Sequence, residues 1–527
     1  MRATLLVFAL VQLLPAAIDG PVRLDSGLIA GVTGTNGAIR VFRGIPYAAP
    51  PVGNLRWRAP EPAAHWDGVR QADQFGAICM QPAFRGAPGG NAATNPPKMS
   101  EDCLFLNVWT AAPSASDRRP VMLWIHPGGY QTGSGSTPGY DGEALAKKGV
   151  VLVTINYRLG VFGFFSHPDL TKESEHHASG NYALMDQAAA LQWVQKNIAA
   201  FGGDPQRVTV FGDSAGSSSI ANLMGSPRAK GLFQRAVGES GAWMGLSLTP
   251  TRTLAEAEQA GVKIADAVNA RTLDELRAKS ADELLKAGRA GGPVIDGWFL
   301  PEDVGTIFAE HKQNDVPLLV GSNQDEGTFF LQPTTAAKFV ERSRTRYGDQ
   351  ADAFLKLYPA GSDEEANASQ LAAFRDELAF VMRVWARAQT RAGHSQAFLF
   401  YFTHQPPPPV GATSRGGFGS GATHGSEAQY IFQNLLPPRA WTDLDRQVSE
   451  TLSSYWVNFA AGGDPNGKGL AKWPEFDDHN SDRPMVLGDQ AAVGPAPNSA
   501  QLAFFESIYE TVGRSPGPRP TPSSASR

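Results

Sequence analysis

Residues Gly212-Asp213-Ser214-Ala215-Gly216 form a G-x-S-x-G directly behind the run RVTVF (207–211) and ahead of a helix-compatible stretch, SSSIANLM. A serine hydroxyl is a weak nucleophile until a neighbouring base takes its proton. Glycines two residues to either side let a strand turn sharply into a helix, so Ser214 is expected to stand exposed in a strained turn. A Cβ at either glycine should collide with the other arm of that turn. The same pattern recurs at Gly513-Arg514-Ser515-Pro516-Gly517, but only Ser214 sits between a strand run and a helical one. Ser214 is the candidate nucleophile.

Such a serine needs a histidine and a carboxylate from the ends of later strands. After PLLVG (317–321) the chain reads Ser322-Asn323-Gln324-Asp325-Glu326-Gly327. After AFLFYFT (397–403) a Gly-rich loop leads to Thr423-His424-Gly425-Ser426-Glu427. Asp325 and Glu326 could each orient an imidazole. Of ten histidines, His424 is the candidate base and His404 its main rival. An oxyanion formed at the attacked carbonyl needs N–H donors, and the loss of one costs about 10²–10³ in rate. Pro127-Gly128-Gly129-Tyr130, after VMLWIH (121–126), offers such a turn, and Ala215 is the residue after the nucleophile. The chemistry that these groups share is acyl transfer.

Strands must carry these residues to one place. Five runs are nearly continuous in β-branched and aliphatic residues, as strands buried on both faces should be: VMLWIH, VVLVTINY (150–157), RVTVF, PLLVG and AFLFYFT. Helical patterns separate them. Ala183 to Ala200 has helical spacing and stops at Gly202-Gly203, and Thr253/Glu256, Thr272/Glu275 and Ser280/Glu283 fit capping boxes of three short helices. The fold class is therefore α/β, with a large, mostly parallel central sheet flanked by helices. Residues 22–43, with a Thr35-Asn36-Gly37 turn, read as a small N-terminal antiparallel sheet. Open α/β sheets place their sites at the carboxyl ends of strands, where all three candidates fall.

Composition narrows the function further. The 527 residues would ordinarily suggest three or four domains at about 150 residues each. Formal charge is −5 and 18% of residues are charged, which leaves no basic field for nucleic acid. With 42% hydrophobic residues the chain is globular, and 56 glycines and 39 prolines imply a loop-rich surface. Met1-Arg2, the apolar run Leu5 to Leu14 and Pro15-Ala16-Ala17 read as a secretory leader (1–17), too short to span a bilayer. Export, to the periplasm or the medium, is expected, without stable membrane insertion. In an oxidising compartment Cys79 and Cys103 favour a disulfide, worth roughly 3–4 kcal/mol for a loop of about 25 residues. Gly513 to Arg527 is a Pro/Ser-rich tail expected to be disordered. No H-E-x-x-H occurs, His176-His177 sits in a charged stretch that reads as surface, and neither metal nor organic cofactor is expected.

Taken together, the chain resembles the type-B carboxylesterases, a large α/β-hydrolase family that includes cholinesterases, mammalian liver carboxylesterases and bacterial p-nitrobenzyl esterases. The likeness rests on FRGIPYAAPPVGNLRW (42–57), SEDCLFLNVW (100–109), GNYALMDQAAALQWVQKNIAAFGGDP (180–205), VTVFGDSAGS (208–217), VIDGWFLP (294–301), NQDEG (323–327) and HGSE (424–427). It implies Ser214 as nucleophile, Glu326 as the acid and His424 as the base, with Gly128, Gly129 and Ala215 as oxyanion donors. It also implies a Cys79–Cys103 disulfide and supporting roles for Asp213, Ser240 and Glu427.

Some positions depart from the family pattern. The oxyanion turn, often His-Gly-Gly-Gly-Phe, here reads His126-Pro127-Gly128-Gly129-Tyr130; Pro127 lacks an N–H but should only stiffen the turn. Near Thr94 no aromatic stands where cholinesterases stack a quaternary ammonium, so a choline site is not expected. The segment KAGRAGG (286–292) lacks the bulky aromatics that narrow the acyl pocket of acetylcholinesterases, which implies a wider one. The expected activity is hydrolysis of small to medium, fairly apolar esters through an acyl-enzyme. A narrow esterase for a feruloyl, toxin or xenobiotic ester is the alternative, and a non-catalytic binding homologue a remoter one. Because positions 128, 214, 326 and 424 must meet, residues 18–512 read as one domain. Oligomeric state is not legible.

Overall fold

The computed structural model describes residues 18, 20–35, 37–82, 98–242, 251–411, 420–477, 483–495 and 498–512. The leader, the tail with its second G-x-S-x-G, the region of Thr94 (83–97) and residues 243–250 and 412–419 lie outside these residues.

An eleven-stranded sheet organises the chain. Its strands are β1 (Val32–Thr33), β2 (Arg40–Pro46), β3 (Phe105–Thr110), β4 (Arg119–Ile125), β5 (Val151–Ile155), β6 (Gly203–Asp213), β7 (Arg235–Glu239), β8 (Leu318–Asn323), β9 (Ala397–Phe402), β10 (Met485–Leu487) and β11 (Ala491–Val493). They lie in the order β11-β10-β9-β8-β7-β6-β4-β5-β3-β2-β1. The run from β5 to β10 is parallel, and antiparallel strands close both edges. All five strands expected from the sequence fall in the parallel part.

Both faces of the sheet are covered. Along β4, Val121, Leu123 and Ile125 enter one apolar cluster, and Met122 and Trp124 enter another on the opposite face. This is the two-residue period of a strand buried on both sides. Against the first face pack α1 (Tyr182–Asn197), through Leu184, Leu191 and Val194, and α2 (Ala215–Gly225), through Ile220 and Leu223. Helix α1 ends in a 3-10 turn closed by Gly202 at φ 75°, as the sequence indicates. It is buried on nearly every side, so its polar residues need internal partners: Asp186 takes Nε (2.8 Å) and Nη2 (2.7 Å) of Arg158.

The three capping signals give α3 (Leu254–Ala267), α4 (Leu273–Ala278) and α5 (Ala281–Ala287). Thr253/Glu256 and Ser280/Glu283 form full boxes. Thr272 caps Glu275 N–H, but Glu275 turns back to the N–H of Arg271 (2.6 Å), so the third box is only half formed. Two long helices escape the sequence reading: α6 (Asp363–Ala392), and α8 (Asp443–Gly462), which lines the second face with Leu452, Tyr455, Trp456 and Phe459. Between them lies α7 (Glu427–Ile431).

The small N-terminal sheet is present, but it takes only part of residues 22–43. Val22–Arg23 and Leu28–Ala30 pair antiparallel, and Val69–Gln71 adds in parallel, making a separate three-stranded sheet. Beyond Gly31 the chain crosses to the main sheet as β1 and β2. A Cβ on Gly31 would stand 2.6 Å from the Val41 carbonyl, so this crossing needs glycine. The Cys79–Cys103 disulfide is formed, with Cα atoms 4.9 Å apart. None of the described helices is long and apolar enough to cross a membrane.

Candidate active site

Strand order brings the sequence candidates together. The chain runs from β4 to β5 on one side, then returns to β6 on the other, so the loops after β4 and β6 leave neighbouring strands at a switch point. Ile125, the last residue of β4, lies opposite Gly212.

Ser214 sits at that junction, half-buried, at φ 56° and ψ −118°, a conformation that L-residues rarely adopt. Its N–H donates to the carbonyl of Glu239 (2.8 Å). The expected clash at the two elbow glycines has a different main partner. A Cβ on Gly212 would stand 2.6 Å from the Ile125 carbonyl and 3.0 Å from Gly216, and one on Gly216 would overlap the same Ile125 oxygen. The neighbouring strand, more than the opposite arm, forbids a side chain there.

A 2.6 Å hydrogen bond joins His424 Nδ1 to Glu326 Oε2. Glu326 is fully buried, and its Oε1 takes Ser240 Oγ (2.6 Å) and Asn323 N–H (2.7 Å). Asp325 instead holds the loop that carries His424, accepting the Ala422 N–H (2.8 Å) and donating its own N–H to the Ala422 carbonyl (2.9 Å). The other imidazole nitrogen, Nε2, is buried without a hydrogen-bond partner. Phe330 meets the His424 ring edge-on at 4.5 Å. His404, the rival base, has both nitrogens engaged, Nδ1 with Asp489 (2.7 Å) and Nε2 with Asp445 (2.9 Å), so neither is open to a serine hydroxyl.

Burial by itself lowers the proton affinity of His424, but the nearby charges of Asp213 and Glu326 and the hydrogen bond to Glu326 outweigh it, and the net shift is upward from 6.5. Three further carboxyls lie buried behind the serine. Asp213 is pushed up to about 7 by desolvation, against the pull of His424. Glu239 rises to about 8, chiefly through desolvation and then the Asp213 charge. Glu427 rises well above its ordinary value for the same reasons. Each keeps one oxygen without a partner: Asp213 Oδ1, Glu239 Oε2 and Glu427 Oε1. Glu239 Oε1 takes the indole N–H of Trp456 (2.7 Å), and Glu427 Oε2 takes the Asn323 amide.

The turn expected to hold the oxyanion follows β4. Gly128 (φ 119°) accepts the N–H groups of Gln131 (3.0 Å) and Thr132 (3.1 Å), which closes the turn. Among the described residues nothing engages the N–H of Gly128 or Gly129. Ala215 opens α2, where the first N–H groups lack intrahelical partners. Pro127 does not break the turn; its carbonyl accepts from Nδ1 of His126 (2.8 Å). His126 stacks on Tyr157 at 4.3 Å and is pushed down to about 4 by burial, which keeps it neutral.

Of the supporting residues expected, Ser240 touches Glu326 directly, Asp213 acts on His424 through charge, and Glu427 is tied to Asn323. The sequence reading missed Asn323, Glu239, Trp456 and Phe330. Asn323 and Glu239 end β8 and β7, so a strand-end rule would have found them; nothing local marks Trp456, over 200 residues beyond Glu239. No cluster of three His, Cys, Asp or Glu among the described residues could hold a metal ion.

The chain as a whole has known relatives. A sequence profile described as the carboxylesterase family matches residues 19–505. Fumonisin B1 esterase of Sphingopyxis macrogoltabida is 37% identical over 509 residues, covering 91% of this chain and 89% of its own length. Para-nitrobenzyl esterase of Bacillus subtilis (strain 168) is 36% identical over 503 residues, covering 91% and 96%. A solved PNB esterase structure superposes with a TM-score of 0.78 at 34% identity, covering 92% of this chain and 99% of that one.

Proposed function

The chain belongs to the carboxylesterase family and is a carboxylic ester hydrolase, and from that premise we propose that it works through a Ser214–His424–Glu326 triad and an acyl-enzyme. The observation that carries this reading is the buried Glu326–His424 pair, whose second nitrogen has no partner, beyond β8 and β9 in a parallel sheet whose β6 leads into a serine held at φ 56°.

Glu326, held by Ser240 and Asn323, fixes the imidazole with Nδ1 protonated, so that Nε2 is the basic nitrogen. Nε2 takes the Ser214 proton as Oγ attacks the ester carbonyl. The N–H groups of Gly128, Gly129 and Ala215 hold the developing oxyanion. His424 then gives its proton to the departing alcohol, and water, activated by the same nitrogen, releases the acid. The charges of Asp213 and Glu326 raise the imidazole's proton affinity against the cost of its burial.

The substrates proposed are small to medium esters with a largely apolar body. The likeness to an enzyme named for fumonisin B1 favours a narrow natural or xenobiotic ester as the second reading. We also read 1–17 as a leader cleaved on export, consistent with the disulfide, and 18–512 as one domain. The deciding experiment is labelling with a sulfonyl fluoride followed by peptide mapping. Modification of Ser214, absent in Ser214→Ala together with esterase activity, is the expected result; labelling elsewhere with activity intact in the variant overturns the triad. Profiling acyl and alcohol groups separates a broad esterase from a narrow one.

A further inference from the structure

Arg252 opens a two-residue strand, Arg252–Thr253, that pairs in parallel with Val294–Ile295. Its guanidinium lies against Gly291, where a Cβ would stand 2.7 Å from Cζ. At the next residue, Gly292, a Cβ would meet the ring of Tyr130 at 2.9 Å. Gln131 Nε2 donates to the carbonyl of Ala290 (3.0 Å). Because Tyr130 and Gln131 directly follow Gly129 in the chain, the strip 290–292 is strapped to the oxyanion turn and carries Arg252 with it.

The Arg252 side chain is half-buried, and its guanidinium makes no hydrogen bond or ion pair with any described residue. Desolvation pushes it below its ordinary value, and Glu256 pulls the other way. That glutamate is already committed, its Oε2 taking both the N–H and the hydroxyl of Thr253 (2.9 and 2.8 Å). A guanidinium keeps its charge at any working pH. Partly stripped of water and left without an acceptor, it is a standing cost that an anionic ligand would remove. Lys286 and Arg289 add positive charge on the same connection.

We propose that Arg252 is a substrate-recognition residue, binding a carboxylate carried by the ester a few bonds from the scissile carbonyl. The planar fork of the guanidinium suits a carboxylate in two-point contact. The inference rests on the serine-esterase reading above and adds a charge requirement to it: an apolar ester with one anionic end is the preferred class.

Two matched pairs test this on the full-length protein. On the acyl side these are the 4-nitrophenyl monoester of glutaric acid and 4-nitrophenyl valerate; on the alcohol side, 4-carboxybenzyl butyrate and benzyl butyrate. The quantity read is the ratio of kcat/KM for the anionic over the neutral member. In Arg252→Gln this ratio should fall about tenfold or more in at least one pair, while Arg252→Lys, which keeps the charge but not the two-point fork, should keep only part of it. In the wild-type protein raising the salt to about 0.5 M should erode the same ratio. Ratios unchanged in both pairs, or a wild-type ratio indifferent to salt, overturn the role of Arg252. Hydrolysis of the neutral esters by Ser214→Ala at the wild-type rate is a different failure: it removes the esterase reading, and this inference with it.

Discussion

Glu326 Oε2 stands 2.6 Å from Nδ1 of His424 while its other oxygen is held by Ser240 and Asn323, so the carboxylate cannot rotate without breaking two hydrogen bonds. The pair therefore fixes both the ring plane and the tautomer. Glu326→Gln keeps the shape but presents either an amide N–H or an uncharged acceptor to Nδ1. The variant should fold with unchanged circular dichroism and lose roughly 10³–10⁴ in kcat. A loss below tenfold would show that the carboxylate does not orient the base.

The upward shift of His424 sets a pH profile. The base works only when deprotonated, so kcat/KM should rise with pH through a midpoint above the ordinary histidine value of 6.5. The Asp213 charge is part of that shift, so Asp213→Asn should move the midpoint down. A midpoint at or below 6.5, or one that Asp213→Asn leaves in place, would contradict the assignment of charges around the ring.

Carboxyls that hold their protons more tightly when folded weaken the fold as pH rises. Glu239 moves from an ordinary value near 4.5 to about 8, so across that window the folded state binds more protons than the unfolded one and stability falls. Glu239→Gln imitates the protonated acid and keeps an acceptor for Trp456. Its Tm should decline less than that of the wild type between about pH 5 and pH 8.5 by calorimetry. Parallel declines would show that Glu239 does not titrate in this window.

The disulfide closes a segment separated by 24 residues. Cys79→Ser paired with Cys103→Ser should cost roughly 3–4 kcal/mol of stability in denaturant melts. A strong reductant should lower the wild-type midpoint and leave that of the double variant in place.

How far the sequence reached follows from the range of each signal. The elbow was legible because its constraint is local: five residues, a strand before and a helix after. The choice between Asp325 and Glu326 was not legible from the residues themselves and rested on the family resemblance, since the two differ only in which way a strand end points its side chains. His404 and His424 likewise both follow β9, and what separates them is that Asp445 and Asp489 occupy both nitrogens of His404. Those acids come from the first turn of α8 and the β10–β11 turn. The Glu239–Trp456 bond depends on α8 lying across the sheet, which no window of residues encodes. The small N-terminal sheet was legible but its extent was not, because the strands of 22–43 share one local pattern yet divide between two sheets, and only Gly31 marks the crossing.

The carbonyl of Ile125 blocks a side chain at both elbow glycines, and its consequence reaches beyond the turn. Ser214, the proposed nucleophile, is referenced to the sheet's own backbone, with no loop as intermediary. Reactivity and selectivity are thereby inherited separately: the surrounding connections can lengthen, shorten or change charge over generations while the attacking oxygen stays in register. A scaffold divided in this way can acquire new substrates without relearning its chemistry.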